Sequence, residues 1–226
     1  MFTQTAVRQS LQNITANPGC HGRLAQYLRQ IKSYHSARQL FISPAPMLAQ
    51  LRINALNDGK DVIMPGPGLK DGFYLLKPFT VPFTKLSFAV SNKGLPKFGR
   101  RLAAGDLAAL ALDLLITDAW AVDEQGTRLG DGQGFFDLSY AIMTEHKALK
   151  DSCLKYAVLD NPERLLSETE LPTNDWDVRM DGVILPAGIM ALPKAAKRNH
   201  PIYWDKLPRK RIKKLKPLWE IWRSLN

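Results

Sequence analysis

The chain has 226 residues, of which 45% are hydrophobic and 23% are charged, so it can bury one sizeable core and is not a disordered chain. No stretch approaches 18 consecutive apolar residues, and Asp113 interrupts the longest run, which predicts no membrane span. The first residues lack the compact apolar core of a secretory signal. Cys20 and Cys153 form no metal-binding pattern and suggest free thiols in a reducing, cytoplasmic compartment, while a single disulfide between them stays open.

The net charge of +10 is concentrated near the C-terminal end. Residues 194–226 contain 11 Lys and Arg against two acids, so this segment carries +9 and the first 193 residues only about +1. A high overall charge is therefore no argument that the whole chain binds nucleic acid. We expect one domain over residues 1–193 and a basic, tryptophan-containing extension over residues 194–226.

Apolar spacing predicts helices that alternate with short strands. Helices are predicted at residues 22–34, 46–60 and 134–149. Strands are predicted at residues 38–43, 61–65, 72–78, 112–118, 153–160 and 181–186, with a strand, turn and return over 119–130. This alternation is typical of an α/β sheet covered on both faces. The basic segment 207–226 is predicted to be helical and broken or kinked at Pro217.

Three glycines, Gly130, Gly132 and Gly134, occupy every second position between a predicted strand and a predicted helix. Glycine permits positive φ and leaves no side chain in the way of a ligand. Successive backbone N–H groups at a helix N-terminus form a natural phosphate site. The spacing matches neither the dinucleotide fingerprint nor the Walker loop, so the glycines by themselves are equally consistent with a structural turn.

The residues around these glycines extend the pattern. The stretch "LDLLITDAWAVDEQGTRLGDGQGFFD" resembles the signature of the 5-formyltetrahydrofolate cyclo-ligase family, in which an apolar strand leads to a G-x-R-[LI]-G-x-G-x-G turn, two aromatics and an Asp. Two further stretches, "NDGKDVIMP" and "NDWDVRMDGVIL", resemble family elements in the same order. "MPGPGLKDGFYLLKP" and "GIMALPKAAKRNHPIYWDKL" resemble a divergent branch of that family.

The resemblance implies a three-layer α/β/α fold with a mostly parallel central sheet, of the cyclo-ligase and CoA transferase-like kind. It also implies ATP and Mg²⁺ as cofactors and a reduced folate as substrate. In the family's reaction, 5-formyltetrahydrofolate is cyclised to 5,10-methenyltetrahydrofolate: ATP phosphorylates the formyl oxygen, N10 attacks the activated carbon, and phosphate leaves.

Site residues follow from the same match. Arg128 is the expected catalytic residue, because a guanidinium can stabilise charge on a transferring phosphoryl group. Asp137 and Asp177 are the expected Mg²⁺ ligands. Phe136 is expected to pack in the core rather than stack on a ligand. The remaining expected contacts to ATP are Gly130, Asp131, Gly132, Gln133, Gly134, Phe135, Lys60 and Arg52.

Several of these assignments have plain structural alternatives. Lys60 could be a solvated lysine after a helix, Arg52 a surface residue, and Asp177 a turn-stabilising acid. The tryptophans of the basic extension are expected to pack on the domain, although aromatics among basic residues can also stack on nucleic acid. The alternatives to the cyclo-ligase reaction are a paralogue acting on another small molecule and a non-catalytic protein whose basic tail binds nucleic acid or an acidic partner.

The chain departs from the family pattern in ways that favour phosphate binding over folate chemistry. Phe135 and Phe136 stand where most members have tyrosines, and Leu138 stands where an Arg usually follows the Asp. The N-terminal helix of the family carries a basic pair, whereas the first 13 residues here offer only Arg8. The stretch "SPAPMLAQLR" lacks the family's folate-contacting acid. Asp131 adds a carboxylate that would repel phosphates unless magnesium intervenes.

Overall fold

The computed structural model describes residues 3–167, 170–193 and 200–225, so the first six residues of the basic extension lie outside the described part. The strands are β1 Gln39–Ile42, β2 Asp61–Pro65, β3 Phe73–Leu76, β4 Arg100–Arg101, β5 Leu112–Asp118, β6 Ala121–Asp123, β7 Arg128–Leu129, β8 Leu149–Val158, β9 Leu165–Leu166, β10 Gly182–Leu185 and β11 Gly188–Ala191.

The α-helices are longer on average than the strands. They are α1 Gln4–Ser10, α2 His21–Gln30, α3 Lys32–Ser36, α4 Ala49–Asn57, α5 Leu86–Ala89, α6 Leu95–Phe98, α7 Ala104–Ala108, α8 Phe135–Glu145, α9 Arg209–Lys214 and α10 Lys216–Leu225. Short 3-10 turns, several with a proline at their first position, connect them.

Eight strands form the main sheet in the order β11-β10-β8-β5-β1-β2-β3-β4. The five strands from β10 to β2 run parallel, and antiparallel strands close the sheet at both sides. Strands β7, β6 and β9 form a second, small sheet. Because the central strands are parallel, their carboxyl ends all meet at one edge of the sheet, which we call the carboxyl edge; the other is the amino edge.

Side-chain alternation along the strands places the core on both faces of the sheet. In β1, Leu40 and Ile42 pack with helices α2 and α4, whereas Phe41 between them packs with α8 on the other face. Strand β5 repeats the pattern, with Leu114 on the first face and Leu115 on the second. All five side chains are fully buried. The result is a three-layer α/β/α arrangement, as expected from the sequence.

The C-terminal helices form part of the second layer. Ile212, Leu215, Leu218 and Ile221 are buried in the same core as Phe41 and α8. Partly buried tryptophans of this segment, Trp204, Trp219 and Trp222, pack against that core, as expected. Whether a domain boundary falls at residue 193 stays a prediction.

Two sequence expectations need correction. The helix predicted over residues 22–34 is divided at Ile31, whose extended backbone separates α2 from α3. The C-terminal helix breaks at Leu215 rather than at Pro217. Pro217 instead lies in the first turn of α10, where a proline costs no intrahelical hydrogen bond. Strand β11 was not predicted; it pairs with β10 through the short turn before Gly188.

The described residues contain no helix long and apolar enough to cross a membrane. Both cysteines are free thiols: Cys20 is buried and Cys153 is half-buried.

Candidate active site

The glycine loop, residues 130–134, lies at the carboxyl edge of the sheet. Strand β5 ends at Asp118, the β6–β7 hairpin follows, and the loop then leads into α8. Gly134 caps α8 with φ of 65°, and Gly132 has φ of 87°, so both occupy the left-handed region that favours glycine. The Asp131 carboxylate accepts the N–H of Gln133 at 2.9 Å and stabilises the turn. The sequence pattern of the loop thus corresponds to a real conformational requirement.

Arg128 and Asp137 form a buried ion pair beneath the loop. Arg128 Nη2 donates to Asp137 Oδ2 at 2.8 Å, and the two side chains are 7% and 11% exposed. The other carboxylate oxygen of Asp137 accepts the backbone N–H of Val178 at 3.0 Å. The Arg128 guanidinium also lies 4.8 Å from the centre of the Phe136 ring. Asp137 therefore fixes the guanidinium, and both its oxygens already have partners.

Asp177 lies close to this pair but has different surroundings. Its Oδ2 accepts hydrogen bonds from Gln4 Nε2 at 3.0 Å and from the backbone and side-chain nitrogens of Asn174 at 2.7 and 3.1 Å. Burial, and then repulsion from the Asp137 carboxylate, raise the pKa of Asp177, while the Asn174 hydrogen bonds lower it in part. The structure thus brings the two predicted metal ligands together, although Asp137 is engaged by Arg128. Nowhere in residues 3–167, 170–193 and 200–225 do three or more His, Cys, Asp or Glu side chains cluster as a metal site.

A cavity of about 340 Å³ opens above the loop. Two carboxylates line it, those of Asp137 and Asp177, together with four basic side chains. The basic residues are Arg8, Arg128, Lys206 and Arg211. The excess of positive charge suits an anionic ligand.

Four of the loop residues expected to contact ATP line this cavity, whereas Asp131 and Phe135 are not among its lining residues. Gly130, Gly132, Gln133 and Gly134 line the cavity together with Arg128. Phe135 is half-buried at the start of α8, with the Arg211 guanidinium 5.5 Å from its ring centre. Phe136 is buried and meets Phe41 edge-on, with ring centres 6.1 Å apart, which confirms its packing role.

Arg52 does not reach the cavity. It is only 1% exposed, and its Nη1 donates to the backbone carbonyls of Ser43 and Ala45, which fixes the chain after β1. Burial lowers its pKa to about 10, an effect that the nearby Asp118 carboxylate opposes. Burial in turn raises the pKa of Asp118, and the charge of Arg128 partly offsets this. Arg52 thus holds the backbone that follows β1 at the carboxyl edge. It is buried, so the alternative that it is a surface residue is also wrong.

Lys60 lies at the opposite edge of the sheet. It directly precedes β2, whose first residue pairs with the first residue of β1, so it belongs to the amino edge. Its ammonium is buried, donates to the Ala37 carbonyl at 2.8 Å and lies 4.6 Å from the Tyr34 ring centre. Burial lowers the pKa of Lys60. The structure does not bring this residue to the glycine loop.

Two parts of the site were not assigned from the sequence. Arg8 of α1 donates to the Gly130 carbonyl at 2.8 Å and to Gln4 Oε1 at 3.1 Å. His200, Tyr203, Lys206 and Arg211 of the C-terminal extension form another wall of the cavity. Arg8 could have been found as the one basic residue in the first 13, whereas the extension offered no sequence signal for this position.

In open α/β sheets ligands bind beyond the carboxyl ends of the strands, and the glycine loop of this α/β/α protein lies there among basic side chains. The 5-formyltetrahydrofolate cyclo-ligase family model matches residues 5–186, and the chain belongs to that family. The match includes β1, β2, β5, the glycine loop, α8 and β10.

Curated relatives include the methenyltetrahydrofolate synthase domain-containing proteins of Mus musculus and Homo sapiens. The mouse protein is 25% identical over 191 residues, which cover 81% of this chain and 49% of that protein. The human protein is 24% identical over 200 residues, which cover 84% and 49%. The chain therefore spans about half the length of the curated relatives it matches.

Solved structures with the same fold include the 5,10-methenyltetrahydrofolate synthetases of Aquifex aeolicus and Mycoplasma pneumoniae. The first has a TM-score of 0.57 and 18% identity and covers 89% of this chain and 98% of that one. The second has a TM-score of 0.50 and 12% identity and covers 81% and 98%. At these identities the likeness concerns the fold alone.

Proposed function

We propose that the protein catalyses the ATP- and Mg²⁺-dependent cyclisation of 5-formyltetrahydrofolate to 5,10-methenyltetrahydrofolate. The observation that carries the proposal is the glycine loop, set among basic side chains in a chain whose family match covers it. In the proposed reaction, ATP phosphorylates the formyl oxygen, N10 attacks the activated carbon and phosphate leaves. The cytoplasmic location expected from the sequence stays a prediction.

The loop is suited to hold the phosphates of ATP. Its backbone lies at the N-terminus of the 11-residue helix α8, where N–H groups and the helix dipole favour negative charge. A Cβ added at Gly132 would lie 3.3 Å from the guanidinium carbon of Arg8, so any side chain there would fill the space between the loop and this cation. Arg8 and the loop amides are the groups we assign to phosphate binding.

Arg128 is the proposed catalytic residue. Its guanidinium is held by Asp137 at 2.8 Å and borders the cavity, so its position is set before a ligand arrives. A preorganised cation aimed at developing charge lowers the barrier without a reorganisation cost at the moment of reaction. Asp137 acts by fixing Arg128. We therefore assign Asp137 a positioning role and not the metal-ligand role that the sequence suggested.

Asp177 is the carboxylate that would hold Mg²⁺. Magnesium usually keeps several waters and takes one or two carboxylates together with phosphate oxygens, so a single acid suffices. Within the described residues, the side-chain hydrogen bonds to Asp177 all go to Oδ2, and the residue lines the cavity, so its second oxygen is the one we assign to the ion. The ion would neutralise phosphate charge and offset the repulsion from Asp131.

The test is the formation of the strongly absorbing methenyl product from 5-formyltetrahydrofolate, with ATP and Mg²⁺ omitted in turn. We expect product only when both are present. An Arg128→Met variant that still folds should lose most of the rate. If the wild-type protein binds ATP and yields no product, the cyclisation is disproved.

A second candidate is an ATP-dependent reaction on another small molecule. It is favoured by Phe135 and Phe136, which lack the hydroxyl groups of the usual tyrosines; Phe136 is moreover buried in the core and cannot contact a substrate. ATP binding that is strengthened by a different ligand, and not by reduced folates, would support this candidate over the first.

A further inference from the structure

The C-terminal extension lies against the glycine loop. Its helix α9 follows a short turn at residues 204–206, and Arg211 in α9 reaches over the loop. The Arg211 guanidinium donates to the backbone carbonyl of Gln133 and lies 5.5 Å from the Phe135 ring centre. Both contacts are to residues at the loop and the first turn of α8. A basic residue 78 positions away in the chain is thereby part of the same site.

The position of Arg211 over the loop is fixed by packing of the C-terminal extension on the core. Ile212, the neighbour of Arg211, is 5% exposed, and Leu218 in the next helix is fully buried. The backbone N–H of Lys216 donates to the Lys70 carbonyl at 2.9 Å, and the Tyr203 hydroxyl donates to the Asp175 carbonyl at 3.3 Å. The extension therefore holds Arg211 through buried side chains on one side and hydrogen bonds on the other.

The charge of Arg211 is not neutralised by the contacts that hold it. A carbonyl oxygen and an aromatic ring are both neutral partners, and the side chain borders the cavity. Arg128 differs, because its charge is matched by Asp137. Because the Arg211 contacts given by the described residues are neutral, its guanidinium can provide bidentate recognition of phosphate oxygens beside the loop amides.

We propose that Arg211 is a binding residue for the phosphate chain of a nucleotide held at the glycine loop, so that the C-terminal extension completes the site. Arg8 approaches the loop at Gly130 and Arg211 approaches it at Gln133, so the two cations flank it from opposite ends of the chain. The choice of phosphate as the anion rests on the proposed function. The role of Arg211 as an anion ligand rests on the geometry.

The experiment compares Arg211→Met with Arg209→Met in the full-length protein. Arg209→Met is the control, because it removes the same charge from the same helix. The Arg209 guanidinium lies 5.7 Å from the Trp222 ring centre, and Arg209 is not among the residues that line the cavity. Calorimetric titrations use ATP, inorganic tripolyphosphate and triglutamate as separate probes. A thermal melt of each variant checks that it is folded.

We expect Arg211→Met to weaken binding of ATP and tripolyphosphate about tenfold, the size of a lost charged hydrogen bond, and Arg209→Met to change it less than about twofold. Equal effects of the two variants would overturn the proposal. So would a wild-type protein that binds neither phosphate probe. If Arg211→Met weakens only triglutamate binding, the extension contacts a carboxylate ligand and the phosphate assignment is wrong.

Two further outcomes keep this test separate from the proposed function. If wild-type protein binds tripolyphosphate through Arg211 and forms no methenyl product, the phosphate subsite stands and the cyclisation fails. Should Arg211→Met not fold, Arg211→Lys replaces it, since it keeps the charge and a donor for Gln133 and loses the bidentate fork. Its phosphate affinity should then fall more than that of Arg209→Lys, and equal affinities would overturn the proposal.

Discussion

The carboxyl and amino edges of the parallel strands both collect charged side chains, but they use them differently. At the amino edge, Lys150 pairs with Asp113 at 2.5 Å, and the Lys60 ammonium is buried against the Ala37 carbonyl. At the carboxyl edge, Arg8 and Arg211 donate to neutral carbonyls of the glycine loop and border a cavity of about 340 Å³.

The difference separates charges that hold the chain together from charges that are available to a ligand. Ligands of open α/β sheets bind beyond the carboxyl ends of the strands, because loops and helix N-termini converge there. In this chain the cavity lies at that edge. A basic residue near a glycine therefore indicates a ligand site only if it lies at the carboxyl edge of the sheet. The following substitutions compare residues at the two edges.

The largest expected effect is a loss of stability when Asp137 is replaced, compared with the same replacement of the ion-paired Asp113 at the other edge. Asp137→Asn leaves the buried Arg128 guanidinium without its carboxylate and should lower the free energy of unfolding by about 3–5 kcal/mol. Asp113→Asn at the amino edge opens a pair whose lysine is 42% exposed, and the new amide oxygen can still accept the Arg38 backbone N–H that Asp113 accepts at 3.0 Å, so the cost should be about 1 kcal/mol or less. Urea unfolding of both variants measures the contrast, and equal losses would mean that the Arg128 pair is no more stabilising than a surface pair.

The next effect concerns two glycines with similar backbone angles. Gly132 has φ of 87° and Gly59 at the amino edge has φ of 77°, so a valine at either position should cost about 1–2 kcal/mol in left-handed strain. Only Gly132→Val should also weaken ATP binding, by at least about tenfold, because its side chain would enter the space between the loop and Arg8. Titration with ATP separates the two variants. Unchanged affinity in folded Gly132→Val would remove the loop from the site.

A smaller effect is expected for Arg52, which supports the carboxyl edge without reaching the cavity. Arg52→Met should lower the free energy of unfolding by about 1–3 kcal/mol, because the carbonyls of Ser43 and Ala45 lose their buried donor. The ATP affinity of the folded variant should stay within about twofold of wild type. A variant of normal stability with weakened ATP binding would restore Arg52 as a phosphate ligand.

The features that could be predicted from the sequence are those that depend on neighbouring residues in the chain. The alternation of Leu40, Phe41 and Ile42 across the sheet and the positive φ of Gly132 and Gly134 depend on neighbouring residues, and both were accessible from the sequence. The N-terminal and C-terminal arginines of the site were not. Arg8 meets its loop partner across 122 positions of sequence, a contact that depends on how the completed layers pack.

Burial explains the other discrepancies. In the sequence Arg52 lies in the middle of a predicted helix and Lys60 at its end, and both side chains are buried and donate to backbone carbonyls. Strand β11 has only four residues and lies at the sheet border, where only alternate residues are partly covered. Such outcomes follow from tertiary packing, which overrides local preference.

The smallest expected effect belongs to Lys60 at the amino edge. Lys60→Met should change the free energy of unfolding at pH 7 by about 1 kcal/mol or less, because the lost hydrogen bond to Ala37 is offset by removal of a buried ammonium. Its ATP affinity should equal that of wild type. Loss of ATP affinity in this variant would contradict the contrast between the two edges.

The pH dependence of Lys60→Met sharpens this last prediction. Burial lowers the pKa of Lys60 below its usual 10.5, so as pH rises toward 10.5 the folded protein loses this proton before the unfolded chain does. The unfolded state then binds more protons, and wild type should gain stability relative to Lys60→Met through that window. The buried Tyr34, whose pKa burial raises, acts in the opposite direction, but it is present in both proteins and largely cancels in the difference. Urea unfolding of wild type, Lys60→Met and the exposed control Lys210→Met at pH 7, 9 and 10.5 measures this difference in the free energy of unfolding; these pH values roughly span a lysine titration. A difference that does not change with pH would show that the Lys60 ammonium carries no burial penalty.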